Sequence, residues 1–333
     1  DWSSDVCSSD LKNIAVTKVQ VKEATYDPSF LKEMKEIGIE CPRLGKEMAI
    51  TIKGEPALPM CEIVNAIRAN MNDGIEVLCL DIQYGEDVQS FNVTTNSPYV
   101  VPHVLIDHIK MIPIRQVANK KFHIDVKNDT DKYKLVTSKD IIGDDDEKKG
   151  VPMFYDNYHI AILPPRTFLS VQNIISKPGI GHRDNIGHSY AMRIGYDYKD
   201  NEWTIKTTPI TTVAEPKQIV DQTCRLLIRM YANLKRIVTI AKDYKYMDDT
   251  YTVSESENVV VYKWKGASLP IGNVITAWGQ MIDSSPETWI TCNTIHCTIT
   301  AIEIKVRHQD VKKYMESILD SVIEVYRKIQ LAF

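Results

Sequence analysis

The chain has 333 residues, 44% of them hydrophobic and 25% charged, with 40 Lys and Arg against 44 Asp and Glu for a formal net charge of −4. Near-balanced charge excludes a protein that coats nucleic acid through a basic surface, and the ordinary apolar and charged fractions exclude disordered, collagen-like or coiled-coil architecture for the chain as a whole. The length allows two or three domains.

Cysteines stand at positions 7, 41, 61, 79, 224, 292 and 297, an odd number with no Cys-x-x-Cys pair, which argues against a disulfide framework or a thiolate zinc site and for a reducing compartment. No run of eighteen apolar residues occurs and the start lacks a signal-peptide layout, so the expectation is a soluble nuclear or cytoplasmic protein. Residues 1–11 show no periodicity and no initiator Met, and are expected to be an artefactual leader, the translation of a sequencing adapter.

Pattern begins at Ile14, where Ile14, Val16, Val19 and Val21 predict a strand, followed by a charged stretch to Glu47. A second strand is predicted over Met48–Lys53, ending at Gly54. After Pro59, Met60, Ile63, Val64, Ile67 and Met71 hold the spacing of one helix face, with Gly74 where a C-terminal cap belongs. Val77–Tyr84 reads as a strand. Val101, Val104, Leu105, His108 and Ile112 predict the buried face of another helix, stopped by Pro113.

From about Val117 to Tyr198, short β-like runs alternate with turn signals, among them Asp144–Glu147, Pro164-Pro165 and Pro178-Gly179, and predict an inserted β-rich subdomain. After Pro216, Ile219, Thr223, Leu226, Leu227, Met230, Leu234, Ile237, Val238 and Ala241 predict one face of a helix of about 25 residues. Asp248–Asn258 is polar and reads as a linker. Val259–Lys265 is a predicted strand, and Ile271–Ile282 a helix. Strands follow through Trp289–Val306. Val311, Met315, Ile318, Val322, Val325 and Ile329 then form a short heptad seam, which predicts a packed helix pair rather than an extended coiled coil.

The chain repeats itself. An offset of 211 places Leu58-Pro59 on Leu269-Pro270, Met60 on Ile271, Ile63 on Val274, Val64 on Ile275, Ile67 on Trp278, Met71 on Ile282 and Glu76 on Glu287. Any two amphipathic helices match at apolar spacing, but the order of elements also recurs and favours a true repeat. Two such half-cores would bury their long helices against each other as an intramolecular pseudo-dimer.

Four motifs resemble one family. Asn65-Ala-Ile-Arg68, Leu78-Cys-Leu-Asp81, Leu105-Ile-Asp-His108-Ile-Lys-Met-Ile112-Pro113 and Lys177-Pro-Gly179-Ile-Gly181 are similar to segments of the assembly subunit of multisubunit RNA polymerases, the bacterial α, archaeal D or eukaryotic subunit 3. Ser268-Leu-Pro-Ile271-Gly272-Asn273 resembles the helix start of the smaller partner, archaeal L or eukaryotic subunit 11. The resemblance covers nearly everything from Ile14 to Leu331. Fusion of both partners in one chain is a feature of nucleocytoplasmic large DNA viruses. The resemblance implies an α+β fold of two α-subunit-N-terminal-like dimerisation modules forming an intramolecular pseudo-dimer, with the β-rich insert. The subunit 3-like module would occupy 12–116 and 196–247, the insert 117–195 and the subunit 11-like module 250–333.

It further implies a non-catalytic assembly platform for DNA-directed transcription. Its partners would be the two largest polymerase subunits and small polymerase subunits, with DNA reached only through the complex, and with neither a membrane nor a small-molecule substrate. Localisation would be the host cytoplasm, in viral factories, and the virion, or otherwise nucleus or cytoplasm. The residues placed at dimerisation and assembly contacts are Asn65, Ile67, Arg68, Leu227, Met230, Gly272, Asn273, Trp278, Ile318 and Val322. Departures from the pattern are Ala69 for the second Arg of the basic pair, Ile109-Lys-Met for Arg-Leu-Gly, and Leu269 for a His. Some relatives hold a metal site in the insert, but residues 114–200 contain no Cys, so neither metal nor cofactor is expected.

Other chemistry is weakly supported. His103, Asp107 and His108 share one helix and His182, Asp184 and His188 one loop, so the alternative is a metal-dependent hydrolase built on the second set. A satisfied helix His and turn-forming glycines at 179, 181 and 187 are the simpler explanations. No phosphate-binding glycine motif, nucleophile elbow or polymerase-type aspartate triple is present. A third option is a non-polymerase scaffold with the same dimerisation module. Asn65 and Asn273 are expected to cap backbone groups, and Arg68 to be either a solvated helix charge or a partner contact. Asn92-Val-Thr94 and Asn128-Asp-Thr130 match glycosylation acceptors, which without secretion is background.

Overall fold

The structure is a computed structural model that describes residues 14–23, 25–36, 46–54, 57–73, 77–82, 92–114, 121–143, 146–150, 158–180, 191–200, 202–209, 215–296 and 299–333. In chain order the elements are β1 (Ala15–Glu23), α1 (Pro28–Glu36), β2 (Lys46–Lys53), α2 (Ala57–Asn70), β3 (Val77–Ile82), β4 (Val93–Thr95) and α3 (Pro102–Lys110). There follow β5 (Lys121–Asn128), β6 (Lys134–Thr137), β7 (Ile141–Gly143), β8 (Asp146–Gly150), β9 (His159–Leu163), β10 (Thr167–Gly179), β11 (Ala191–Lys199) and β12 (Glu202–Pro209). The last part holds α4 (Pro216–Ile240), β13 (Tyr246–Met247), β14 (Tyr251–Ser256), β15 (Val259–Lys265), α5 (Leu269–Ile282), β16 (Trp289–His296), β17 (Ile299–Arg307) and α6 (Val311–Gln330). The fold is mixed α/β, built on several antiparallel sheets.

Two of these sheets follow one plan. The first has strand order β1-β2-β12-β11, and the second β13-β14-β15-β17-β16. Setting aside the two-residue β13, each runs first, second, fourth, third, with every neighbouring pair antiparallel. A helix of 14 residues follows the second strand in each, α2 in one and α5 in the other. A long helix follows the fourth, α4 or α6. Pro near the start of α4 and α5, and the Asp310 side chain accepting from the Lys313 amide at α6, supply three of these helix starts.

Period-2 patterning puts one face of each sheet inside. Met48, Ile50 and Ile52 of β2, Trp203 and Ile205 of β12, Tyr262 and Trp264 of β15 and Ile302, Ile304 and Val306 of β17 are buried. They join the inner faces of α2, α4, α5 and α6 in a single apolar cluster. Each such side chain contributes roughly 1.5–3 kcal/mol on burial.

A second cluster gathers Leu80 and Ile82 of β3, Leu105, Ile106 and Ile109 of α3, and the inward residues of β5 and β10. The β-rich insert therefore does not divide from the rest at 117 and 195. Its apolar core begins at Leu80, taking in β3, β4 and α3, whereas β11 belongs to the first sheet. The reason is the 13-residue β10, long enough to pair with β5 on one side and with β3 and β4 on the other.

Four local expectations are corrected. Asp248–Asn258 is no linker, since β14 pairs with β15 and buries Tyr251 and Val253. Pro178 and Gly179 lie in β10, opposite Leu78 and Val77; the β5 pairing ends at Ile175, so the missing Pro178 amide breaks no ladder there. The charged stretch contains α1, a helix with no buried residue. On α3 the inward residues are Leu105, Ile106 and Ile109, with Ile112 just beyond. Val101 and Val104, expected inside, are 45% and 44% exposed, and His108 is exposed too.

Asn128 is a structural residue and not a glycosylation acceptor. It is 1% exposed; its amide donates to the Lys132, Leu163 and Pro164 carbonyls at 2.8, 2.9 and 2.9 Å, and its carbonyl accepts from the Thr130 hydroxyl at 2.7 Å. Asn128→Ala strands these buried groups and is expected to cost about 2 kcal/mol, read as a lowered denaturant midpoint.

Candidate functional site

The feature with most potential for function is the four-helix layer that α2, α4, α5 and α6 form over the two sheets. In it α2 packs on α5, and α4 on α6. The α4/α6 seam is apolar inside and polar along its flanks. Leu227 and Leu234 of α4 and Met315, Ile318, Val322 and Val325 of α6 are fully buried. On the flanks Gln330 donates to Asp221 at 2.9 Å, Lys235 reaches the Asp320 carboxylate at 2.6 and 2.7 Å, the Thr239 hydroxyl donates to Glu316 at 2.9 Å and Lys312 donates to the Thr239 carbonyl at 2.8 Å. Rising numbers on α4 meet falling numbers on α6, so the helices run antiparallel. Exposed pairs of this kind add little energy, but they fix direction and register.

Tyr231 ties the layer together, and no sequence pattern singled it out. Its buried hydroxyl donates to the Ile271 carbonyl at 2.9 Å, at the start of α5. Its ring stacks on Tyr326 of α6 at 5.7 Å between centroids and meets Trp264 of β15 edge-on at 6.4 Å. Complete burial drives the phenol pKa far above its ordinary value, so the hydroxyl stays protonated and remains a donor. Tyr231→Phe leaves the Ile271 carbonyl without this donor inside the core and is expected to lower stability by about 1–2 kcal/mol. Chemical denaturation of the full chain checks it.

The residues expected at assembly contacts fall into two groups. Ile67, Leu227, Trp278, Ile318 and Val322 are buried in the shared core, and Met230 is half-buried at its edge. Gly272 is buried where α5 crosses β16: a Cβ there would stand 2.1 Å from Cys292 Sγ and 2.9 Å from Ile302 Cδ1. Asn273 is half-buried.

Asn65 and Arg68 form the second group. Asn65 Oδ1 accepts from Arg68 Nε at 3.1 Å and Nη2 at 2.8 Å, so its side chain serves the neighbouring guanidinium and not the backbone cap expected of it. Arg68 is half-buried, 5.9 Å from the centre of the Tyr196 ring on β11, and so is not simply a solvated helix charge. The Tyr196 hydroxyl lies 3.9 Å from Cys61 Sγ.

Away from the helix layer, three of the sequence motifs meet at one carboxylate. Leu78–Asp81 lies between β10 and the segment 112–114: Leu80 and Ile114 exchange backbone bonds with Ile112 and Leu78 at 3.0 and 2.8 Å, and Lys177 faces Cys79 on the other side. Asp81 Oδ1 accepts from the Ile82 amide at 2.8 Å and lies 3.6 Å from Lys110 Nζ, while its Oδ2 lies 3.5 Å from Lys177 Nζ.

Burial pushes the Cys79, Cys224 and Cys292 thiols up to about 12, which keeps them protonated and poor nucleophiles at neutral pH. Among the described residues no group of three or more His, Cys, Asp or Glu stands together as a metal site. His103, Asp107 and His108 all lie on α3, and His182, Asp184 and His188 lie outside the described residues. No described helix is long and apolar enough to cross a membrane. No protein-family model matches the chain, and a search of curated proteins finds no match.

Proposed function

We propose that the chain is a non-catalytic assembly-platform subunit of a multisubunit DNA-directed RNA polymerase, with a subunit 3-like and a subunit 11-like module fused and clasped as an intramolecular pseudo-dimer. The observation that carries this reading is the doubled plan of strands and helices, in which two sheets of one strand order each place a 14-residue helix and a long helix into a common core. A homodimer built from such a unit would pair equivalent helices across a two-fold axis, and this chain pairs α2 with α5 and α4 with α6. The meeting of the Leu78–Asp81, Lys110–Pro113 and Lys177–Gly179 segments supports it further, because segments chosen only for family resemblance are neighbours in space. The function is binding: the paired helices stabilise the platform, and its outer faces dock the two largest subunits.

Affinity capture of the tagged chain from its native or infected cells, followed by mass spectrometry and a templated RNA synthesis assay, tests the reading. It predicts two very large subunits and RNA synthesis in the eluate. A chain recovered alone with stoichiometric metal overturns it in favour of a hydrolase using the 182–188 loop.

A further inference from the structure

The outer strands of the two related sheets are not defended alike. Edge strands present unpaired backbone donors and acceptors, and proteins commonly block unwanted pairing there with charged residues, Pro or very short strands. β1 carries Lys18, Lys22 and Glu23, β13 is two residues long, and β11 carries Asp197 and Lys199, with Asp197 paired to Lys206 of β12. β16, which holds in its sheet the place that β11 holds in the other, reads Trp-Ile-Thr-Cys-Asn-Thr-Ile-His, with no Lys, Arg, Asp, Glu or Pro in eight residues.

Its pairing to β17 is regular from Trp289 to Thr294, opposite Arg307 to Ile302. Trp289 and Ile295, near its two ends, are 43% and 44% exposed. Helix α5 lies over this strand closely: Cβ atoms added at Gly272 and Gly279 would stand 2.1 Å from Cys292 and 3.1 Å from Ile290. The inward residues Ile290, Cys292 and Thr294 change from buried to half-buried to exposed along the strand, so the layer beneath α5 is incompletely covered at this edge.

We propose that β16 is a strand-addition site, and that a polymerase partner subunit adds an extended segment to it, extending the five-stranded sheet by one strand. The segment that fits carries no charge at its inward positions, because a charge laid beneath α5 beside Ile290 and Cys292 would be desolvated without a partner. It alternates apolar and polar residues, so that its apolar side chains continue the row of Ile290 and Cys292 under α5. This rests on the platform reading for the source of the strand. The edge that accepts it is a property of this chain.

Backbone amide exchange of β16, compared between the isolated full chain and the assembly captured from cells, tests the proposal. The amides within Trp289–Thr294 that point away from β17 are expected to exchange at least about tenfold more slowly in the assembly. Thr294→Lys, at an exposed position, is expected to leave the melting temperature of the isolated chain unchanged and to reduce recovery of the strand-donating subunit about tenfold. An assembly that holds the large subunits but leaves these amides unprotected overturns this inference alone. A chain captured without them overturns the platform reading, and the proposed strand donor with it. Protection that rises with the concentration of the isolated chain makes the occupant a second copy, and also overturns the partner strand.

Discussion

Leu227→Asp and Ile318→Asp each abolish soluble expression of the full chain. Both side chains are 0% exposed, one on each helix of the antiparallel α4/α6 pair, inside the core shared by the two sheets. An aspartate there has no cationic partner within the apolar seam, and the cations on its flanks are occupied: Lys235 by Asp320 and Lys312 by the Thr239 carbonyl. The loss adds the missing apolar contacts to the desolvation of an unpaired carboxylate, at least about 4 kcal/mol together. Set against a typical net stability of about 5–15 kcal/mol, that removes a large part of the margin, and nearly all of it at the lower end of the range. Leu227→Ala and Ile318→Val keep the seam apolar and are expected to remain soluble with lowered melting temperatures. Soluble yield and thermal unfolding of the four variants check this, and a melting temperature unchanged in either aspartate variant contradicts a clasp through α4 and α6.

Gly272→Val is expected to cost about 3 kcal/mol. A helix interior normally gains about 1 kcal/mol when Gly gives way to a residue with a side chain such as Ala, but here the space is taken. A new Cβ alone falls 2.1 Å from Cys292 Sγ, 2.9 Å from Ile302 Cδ1 and 3.3 Å from Cys292 Cβ, before either valine methyl is placed. Turning the half-buried Cys292 Sγ outward toward the open edge of β16 relieves only part of the clash, because Cys292 Cβ at 3.3 Å and Ile302 Cδ1 at 2.9 Å remain. Adding Cys292→Ala to Gly272→Ala removes the sulfur nearest the new Cβ, and the double variant is expected to be more stable than Gly272→Ala alone; the pair is close enough to be strongly non-additive. A denaturant series on the single and double variants reads both effects.

The seam of α6 was legible because its apolar residues step by four and three without interruption, and every one of Val311, Met315, Ile318, Val322, Val325 and Ile329 is buried. The α2 and α5 faces were legible for the same reason. On α3, Val101, Val104, Leu105 and His108 satisfy helical spacing as well as Leu105, Ile106, Ile109 and Ile112 do. Periodicity alone cannot choose between overlapping stripes, and packing on β3 settles the choice. β14 was missed because Tyr251 and Val253 alternate with Thr252 and Ser254, which reads as polar until a neighbouring strand supplies the other half of the sheet. α1 was missed because Phe30, Leu31 and Met34 are its only apolar residues beyond Pro28 and pack against no core.

Among site residues, burial of Ile67, Trp278, Ile318 and Val322 follows from their stripes. The bond between Asn65 and Arg68 follows from i, i+3 spacing on one helix. Tyr231 was hidden because its role depends on three elements distant in sequence, α5, α6 and β15. The approach of Lys177 to Asp81 likewise requires β10 to return beside β3, and that of Lys110 requires α3 and the segment after it to fold onto β3, neither of which a local pattern specifies.

The claim that two half-cores clasp within one chain is tested most directly by dividing the chain at the turn where Asp248 accepts from the Thr250 and Tyr251 amides. Expressed together, the two fragments are predicted to co-purify in a one-to-one complex, because α4 and α6 and the shared core come from different sides of the cut. Fragments that purify apart, each as a folded monomer with cooperative unfolding, would contradict the account.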